Sequence, residues 1–234
     1  MVKNNQITER SALKYMGRFA ELLTPAQQTE LLEKVKLVHL HEGEELYCEG
    51  ALPQYLCCAV DGHIKISRIG VGGRIMILRL IHNGNIFGYR SYFANSEHIT
   101  SATAATRASV YLLPLTLVDD WMKENVALTR FFVDELSEDL GHSDIRLLNL
   151  TQKHLRGRLA EALLILIEHF GFESNGRTIA TEPSRGELAD MANMTRPNAI
   201  RTLSAFVEDG IVSVSGRRIT VLDMASLKRN SDFG

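Results

Sequence analysis

The chain has 234 residues, 45% of them hydrophobic and 23% charged, enough apolar material for one or two packed domains and too little bias for a disordered or fibrous protein. Twenty-six Lys and Arg against 28 Asp and Glu give a net charge of -2, so any nucleic-acid site has to be local. Three cysteines, Cys48, Cys57 and Cys58, form no C-x-x-C pair and too small a set for a disulfide framework. No run approaches the roughly 18 apolar residues of a membrane span, and the start, Met1-Val2-Lys3-Asn4-Asn5-Gln6, has no apolar core of a signal peptide. A cytoplasmic protein without a membrane partner is the expectation.

In chain order, the first 36 residues read as short helices, with Thr24 capping and Pro25 at the first helical position. From Val38 to about Leu113 short apolar runs alternate with turn glycines. Leu56-Cys57-Cys58-Ala59-Val60, Ile64-Lys65-Ile66-Ser67 and Ile75-Met76-Ile77-Leu78-Arg79-Leu80 read as strands. Gly50, Asp61-Gly62, Gly72-Gly73, Asn83-Gly84 and Gly88 fall between runs, the texture of an eight-stranded β-roll. From Thr116 the period becomes helical. Val133, Leu136, Leu140, Ser143, Leu147 and Leu150 follow the 3, 4, 3, 4, 3 rhythm of a coiled-coil seam, which predicts a homodimer through this helix or, as the alternative, packing of the stripe on the chain's own sheet. Gly157 and the polar Thr151-Gln152-Lys153-His154 mark a boundary. Beyond it lies a mainly helical domain ending in a hairpin, Ile211–Val214 and Arg218–Leu222 joined through Ser215-Gly216-Arg217.

Ser184-Arg185-Gly186-Glu187 is a capping box that starts a short helix. After a bend at Ala192-Asn193-Met194, Thr195 or Arg196 caps a second helix that tolerates Pro197 in its first turn. Ala199, Ile200, Leu203, Phe206 and Val207 are expected on its buried side, with Asn198, Arg201, Thr202 and Ala205 opposite and Arg196 at the tip. Two such helices make a helix-turn-helix, with double-stranded DNA as the partner. Arg pairs bidentately with guanine and Asn with adenine in the major groove, while Ser184, Thr195 and Arg217 suit phosphate oxygens. The predicted DNA-binding set is Ser184, Arg185, Thr195, Arg196, Asn198, Arg201, Thr202 and Arg217; the predicted dimer interface is Val133, Leu136, Leu140, Leu147 and Leu150.

From about residue 20 to 223 this order resembles the cyclic AMP receptor protein and fumarate–nitrate reductase regulator (Crp/Fnr) family. The resemblance is carried by the turn glycines through Asn83-Gly84-Asn85-Ile86-Phe87-Gly88, by Gly157-Arg158-Leu159-Ala160, by Ser184-Arg185-Gly186-Glu187-Leu188-Ala189 and by Thr195-Arg196-Pro197-Asn198-Ala199-Ile200-Arg201-Thr202-Leu203. It implies an α+β chain: a β-roll of the cyclic-nucleotide-binding jelly-roll type (1–115), a dimerisation helix (116–151) and a winged helix-turn-helix (152–234). It also implies a homodimeric transcription regulator with no catalysis, bound to a two-fold promoter site, meeting RNA polymerase and switched by a small-molecule effector.

The sequence departs from the family at the effector site. Family members that bind cyclic nucleotides carry Gly-Glu and then Arg-Ser after the Phe-x-Gly turn. Here the turn reads Gly88-Tyr89-Arg90-Ser91 and the later pair aligns with Ile99-Thr100, so the carboxylate and guanidinium are missing, which speaks against cyclic AMP because a buried phosphate needs a compensating charge. The effector pocket is expected at Gly88, Tyr89, Arg90, Ser91, Thr100, Ser101 and Ser143. Iron–sulfur binding lacks its N-terminal cysteines, and Cys57 and Cys58 should point to opposite faces of a strand. Haem is the alternative effector group, with His82, His98 or His142 as axial candidates. The Arg-Glu opening frequent in the family's recognition helices is Arg196-Pro197 here, so the cytosine acceptor is absent. Two readings of other classes are a cupin-type metalloenzyme, from His39-Leu40-His41 with Glu45, and a ligand-binding subunit that regulates an enzyme.

Overall fold

The computed structural model describes residues 7–234; the expectation for Met1–Gln6 lies outside them. The chain divides into two compact units, one running to Arg68 and resuming over Leu78–Leu140, the other comprising Ile69–Ile77 and Gly141–Gly234.

In the N-terminal part of the chain, which supplies the first unit and the Ile69–Ile77 segment of the second, α1 (Ala12–Tyr15), α2 (Gly17–Glu21) and α3 (Pro25–Lys34) precede β1 (Lys36–Leu40), β2 (Glu45–Tyr47), β3 (Tyr55–Asp61), β4 (Ile64–Ile69), β5 (Ile75–Ile81) and β6 (Ile86–Phe87). A short α4 (Arg90–Phe93), then β7 (Ser101–Ala104), β8 (Ala108–Pro114) and α5 (Leu115–Glu124) follow. Thr24 caps α3, its side chain accepting from the Gln27 amide, with Pro25 in the first turn. The strands form two four-stranded sheets, β1-β8-β3-β6 and β2-β7-β4-β5, the predicted roll. Leu40, Cys57, Ala59, Phe87 and Val110 of one sheet meet Ile64, Ile66, Ile81 and Ala102 of the other. The reverse face of the first sheet, with Leu56, Cys58, Val60, Tyr111 and Leu113, is covered by Phe19, Leu31, Trp121, Phe131 and Phe132 from the helices. Double-sided burial explains why β3 is an unbroken apolar run whereas β4 alternates. It also sends Cys57 and Cys58 to opposite faces, and burial pushes the Cys58 thiol up to about 12.

The predicted helix from residue 116 is not continuous. Asn125 ends α5 and its Oδ1 accepts from the Leu128 amide at 3.1 Å, capping a new helix, α6 (Val126–Gln152), while its Nδ2 donates to the Leu22 carbonyl at 2.8 Å. Leu128, Phe131 and Phe132 of α6 are buried on the roll, and Leu136 packs partly against the same core. The stripe is therefore shared: its first turns serve the chain's own sheet, whereas Val133, Leu140 and Leu147 are 50%, 62% and 63% exposed.

The boundary is narrower than the sequence predicts. Only Lys153 and His154 separate α6 from α7 (Leu155–Phe170), and Gly157 lies inside α7. Its hydrogen faces the end of α10 (Met224–Phe233), a helix the sequence reading lacks; a Cβ at Gly157 would sit 2.4 Å from the Gly234 carbonyl oxygen. Between them lie α8 (Arg185–Met191), α9 (Arg196–Glu208), β9 (Val212–Ser215) and β10 (Arg218–Val221). The last two pair antiparallel with Ile219 opposite Val214, and a bridge from Thr178 to Thr220 widens this wing. Among the described residues no helix is long and apolar enough to cross a membrane.

Candidate nucleic-acid interface

The helix-turn-helix assembles from its caps. Ser184 Oγ accepts from the Glu187 amide at 3.1 Å and the Glu187 carboxylate accepts from the Ser184 amide at 3.0 Å, a complete capping box that fixes where α8 begins. The turn is made by Asn193 at φ 46°, a left-handed conformation that asparagine tolerates, and its carbonyl accepts from Arg158 Nη1 at 2.9 Å. Thr195 then caps α9, its Oγ1 accepting from the Asn198 amide at 3.4 Å. Leu188 and Ala189 of α8 are buried, as are Ala199, Leu203 and Phe206 of α9.

The eight predicted DNA-binding residues divide. Thr195, Arg196 and Arg201 are exposed and Asn198 is half-buried beside them; Arg217 is exposed at the wing turn. Arg201 Nη2 donates to Asn198 Oδ1 at 2.5 Å, a pair that holds the guanidinium over the first turn of the helix. The acceptor Asn198 needs for bidentate adenine pairing is thus already engaged by Arg201. Arg185 Nη2 donates to the Gly216 carbonyl at 2.8 Å, so this arginine ties α8 to the wing. Ser184 is half-buried with its oxygen in the cap. Thr202 is corrected outright: it is 8% exposed and belongs to the packed stripe, while Ile200, expected inside, is 43% exposed. A shift of about 50° around the helix axis separates the two arrangements, because the stripe centres between Ala199, Thr202, Leu203 and Phe206.

The predicted effector residues take different surroundings. Tyr89 is buried in the helix-side core, its ring 5.2 Å from that of Phe132, and burial together with the Asp139 and Glu135 carboxylates raises its pKa. Ser91 is buried within α4, where its carbonyl accepts from the Ser96 amide. Gly88, at φ 87°, passes so close to β3 that a Cβ would lie 2.9 Å from the Tyr55 carbonyl. Thr100 bonds Tyr47, whose pKa is raised by burial and by Cys57 while Thr100, Arg79 and Arg90 pull against that rise. Ser101 Oγ accepts from the Glu49 amide at 3.0 Å, and Ser143 is exposed on α6.

What the roll does bring together is a charge cluster that the sequence reading passed over. Asp139 of α6 is 8% exposed, and its carboxylate receives Arg79 Nη1 of β5 at 2.7 Å, with Arg90 Nε at 4.0 Å. Glu135, one turn earlier, has its pKa raised by burial and by Glu138 and Asp139. The signal was present in β5, where Arg79 is the lone charge in Ile75-Met76-Ile77-Leu78-Arg79-Leu80-Ile81.

The histidines scatter. His98 is 6% exposed and stacks on Tyr47 with centroids 3.9 Å apart, and burial lowers its pKa; His82 Nδ1 lies 3.1 Å from the Asn83 carbonyl; His142 is exposed on α6. His39, His41 and Glu45 are exposed on the outside of the roll, His39 Nδ1 lying 3.0 Å from Ser109 Oγ. Among the described residues no three His, Cys, Asp or Glu side chains come together as metal ligands, so the cupin arrangement is not formed.

Two family models match the chain, a cyclic nucleotide-binding domain over residues 37–125 and a Crp-like helix-turn-helix domain over residues 157–230. The chain belongs to the Crp/Fnr family of transcription regulators. It is 23% identical over 208 residues to a CRP-like cAMP-activated global transcriptional regulator of Mycobacterium tuberculosis, covering 88% of this chain and 93% of that one. It is 27% identical over 173 residues to a global nitrogen regulator of a Nostoc species, covering 73% and 78%. Among solved structures, a Crp/Fnr-family regulator from Eubacterium rectale superposes with a TM-score of 0.81 at 16% identity, covering 93% of this chain and 99% of that one. A Thermus thermophilus regulator of the same family gives 0.70 at 23% identity, covering 84% and 98%. This Crp/Fnr regulator therefore combines a domain of the effector-binding type with a DNA-binding helix-turn-helix.

Proposed function

We propose that this Crp/Fnr regulator acts as a homodimer that reads a two-fold promoter site through paired α9 helices, and that an effector at the roll and α6 sets its affinity for DNA. The observation that carries the reading is the exposed apolar line Val126, Val133, Leu140 and Leu147, spaced seven residues apart and 80%, 50%, 62% and 63% exposed. A seven-residue repeat of water-exposed aliphatic side chains is what a second α6 covers. Dimerisation also answers the charge problem: residues 152–234 carry 11 basic and 10 acidic groups, net +1, so a single reading head has little electrostatic hold and two linked heads reinforce each other. The effector coupling rests on Asp139, through which β5 and α4 grip α6 by Arg79 and Arg90. The resemblance supplies the setting, a cytoplasmic regulator acting on RNA polymerase. Native mass spectrometry of the purified chain with a selected duplex tests the reading. Two chains per duplex support it, and one chain per duplex contradicts it.

A further inference from the structure

In the first turns of α9 an isoleucine, Ile200, stands at the surface. The buried stripe of α9 is Ala199, Thr202, Leu203 and Phe206, and Ile200 lies outside it, 43% exposed. Its neighbours on the outward face are Arg196 one turn before, Arg201 beside it and Ser204 one turn after, all exposed. Pro197, also exposed, lies three residues before it and Val207, 42% exposed, two turns after, so Ile200 is a branched aliphatic group beside the arginines on the face that the proposed reading turns to the major groove. Docking removes water from this face, and Ile200 gains from that only if it meets carbon. The apolar group that a base pair offers in the major groove is the thymine C5 methyl.

We propose that Ile200 is a specificity-determining residue that selects a T·A pair in each half-site by contact with the thymine methyl. The inference rests on the DNA-reading role of α9 and goes beyond the arginine contacts the family resemblance implies. Arg196 and Ile200 are four residues apart, about 6 Å along the helix axis, so the selected thymine lies within about two base pairs of the base read by Arg196. Because Pro197 replaces the glutamate that would accept from cytosine, methyl contact gives this helix a means of discrimination that needs no hydrogen-bond acceptor.

Replacing thymine by deoxyuridine deletes the methyl and leaves every hydrogen-bonding group in place. The full-length protein is titrated by fluorescence anisotropy, at one salt concentration, against the best duplex selected from a random pool and against duplexes carrying deoxyuridine at each thymine in turn. One thymine of the half-site should be sensitive, its replacement weakening wild-type binding about fourfold, the effect of one buried methyl group. Ile200→Ala should bind the thymine duplex more weakly and be indifferent to deoxyuridine at that position, while Ile200→Val should keep part of the sensitivity. Methyl-insensitive binding by the wild type overturns the proposal, as does an Ile200→Ala variant with unchanged sensitivity. If Arg196→Ala and Arg201→Ala lose binding while methyl deletion does nothing, Ile200 is excluded and the reading of α9 stands. If no duplex is selected, both fall together.

Discussion

Truncating the exposed seam should break the dimer without unfolding the chain. Leu140 and Leu147 are 62% and 63% exposed in the single chain, so a partner helix has that fraction of each side chain left to bury. Full burial of a leucine contributes about 1.5–3 kcal/mol, which leaves about 1–2 kcal/mol for each copy of one residue and about 2–4 kcal/mol for both copies in a dimer. Leu140→Ala should therefore raise the dimer dissociation constant by up to about 30- to 700-fold, and Leu140→Glu with Leu147→Glu should abolish association. Leu136 is a poor site for this test, since it packs partly on the roll core and its loss would perturb folding. Sedimentation equilibrium reads the association, with thermal unfolding of the same samples as the control. A Leu140→Glu, Leu147→Glu protein that sediments as the wild type does would refute the seam. Loss of the dimer together with a collapsed melting transition would show that these leucines belong to the fold of the single chain.

Other consequences follow from the same geometry. Arg196→Ala and Arg201→Ala should each weaken binding to a selected duplex by about 1–3 kcal/mol and relax the preference at one base step, whereas Arg217→Ala should weaken binding alike on all sequences and flatten its salt dependence; competition titrations at several salt concentrations distinguish these effects. Asp139→Asn removes the charge that Arg79 and Arg90 share, so it should change DNA affinity severalfold while leaving recognition unaltered, and an unchanged affinity in anisotropy would separate the cluster from switching. His98 has its pKa lowered by burial from the ordinary 6.5, so the folded state prefers the neutral ring. Its contribution to stability is present above pH 6.5 and is lost as pH falls below that value, when the unfolded chain takes up the proton. Thermal midpoints measured from pH 8 to 5 should drop for the wild type and drop less for His98→Gln; equal slopes would exclude this histidine as the cause.

The elements most legible in the sequence were those fixed by local chemistry. The capping box at Ser184 and Glu187 and the cap at Thr195 set both helix starts, and the apolar runs between turn glycines marked β3, β4 and β5 as strands. The misses share a tertiary cause. Ile200 and Thr202 sit on either flank of a stripe whose centre only packing against α8 and the rest of the unit decides. Arg185 is written like a free surface charge, but the Gly216 carbonyl that engages it lies 31 residues away. Asp139 falls between seam positions, and its partners come from β5 and α4, 60 and 49 positions earlier in the sequence. The break at Asn125 depends on the Leu22 carbonyl, and the glycine at 157 on the end of α10, contacts no local pattern contains.

The central claim is that two copies of α9 read related half-sites, and selection of bound duplexes from a random pool by the purified full-length protein tests it most directly. A motif with two-fold symmetry, its half-sites about one helical turn apart, should be enriched, and should be lost from the pool when Arg201→Ala is used. Enrichment of an asymmetric single motif, or an unchanged motif with Arg201→Ala, would contradict it.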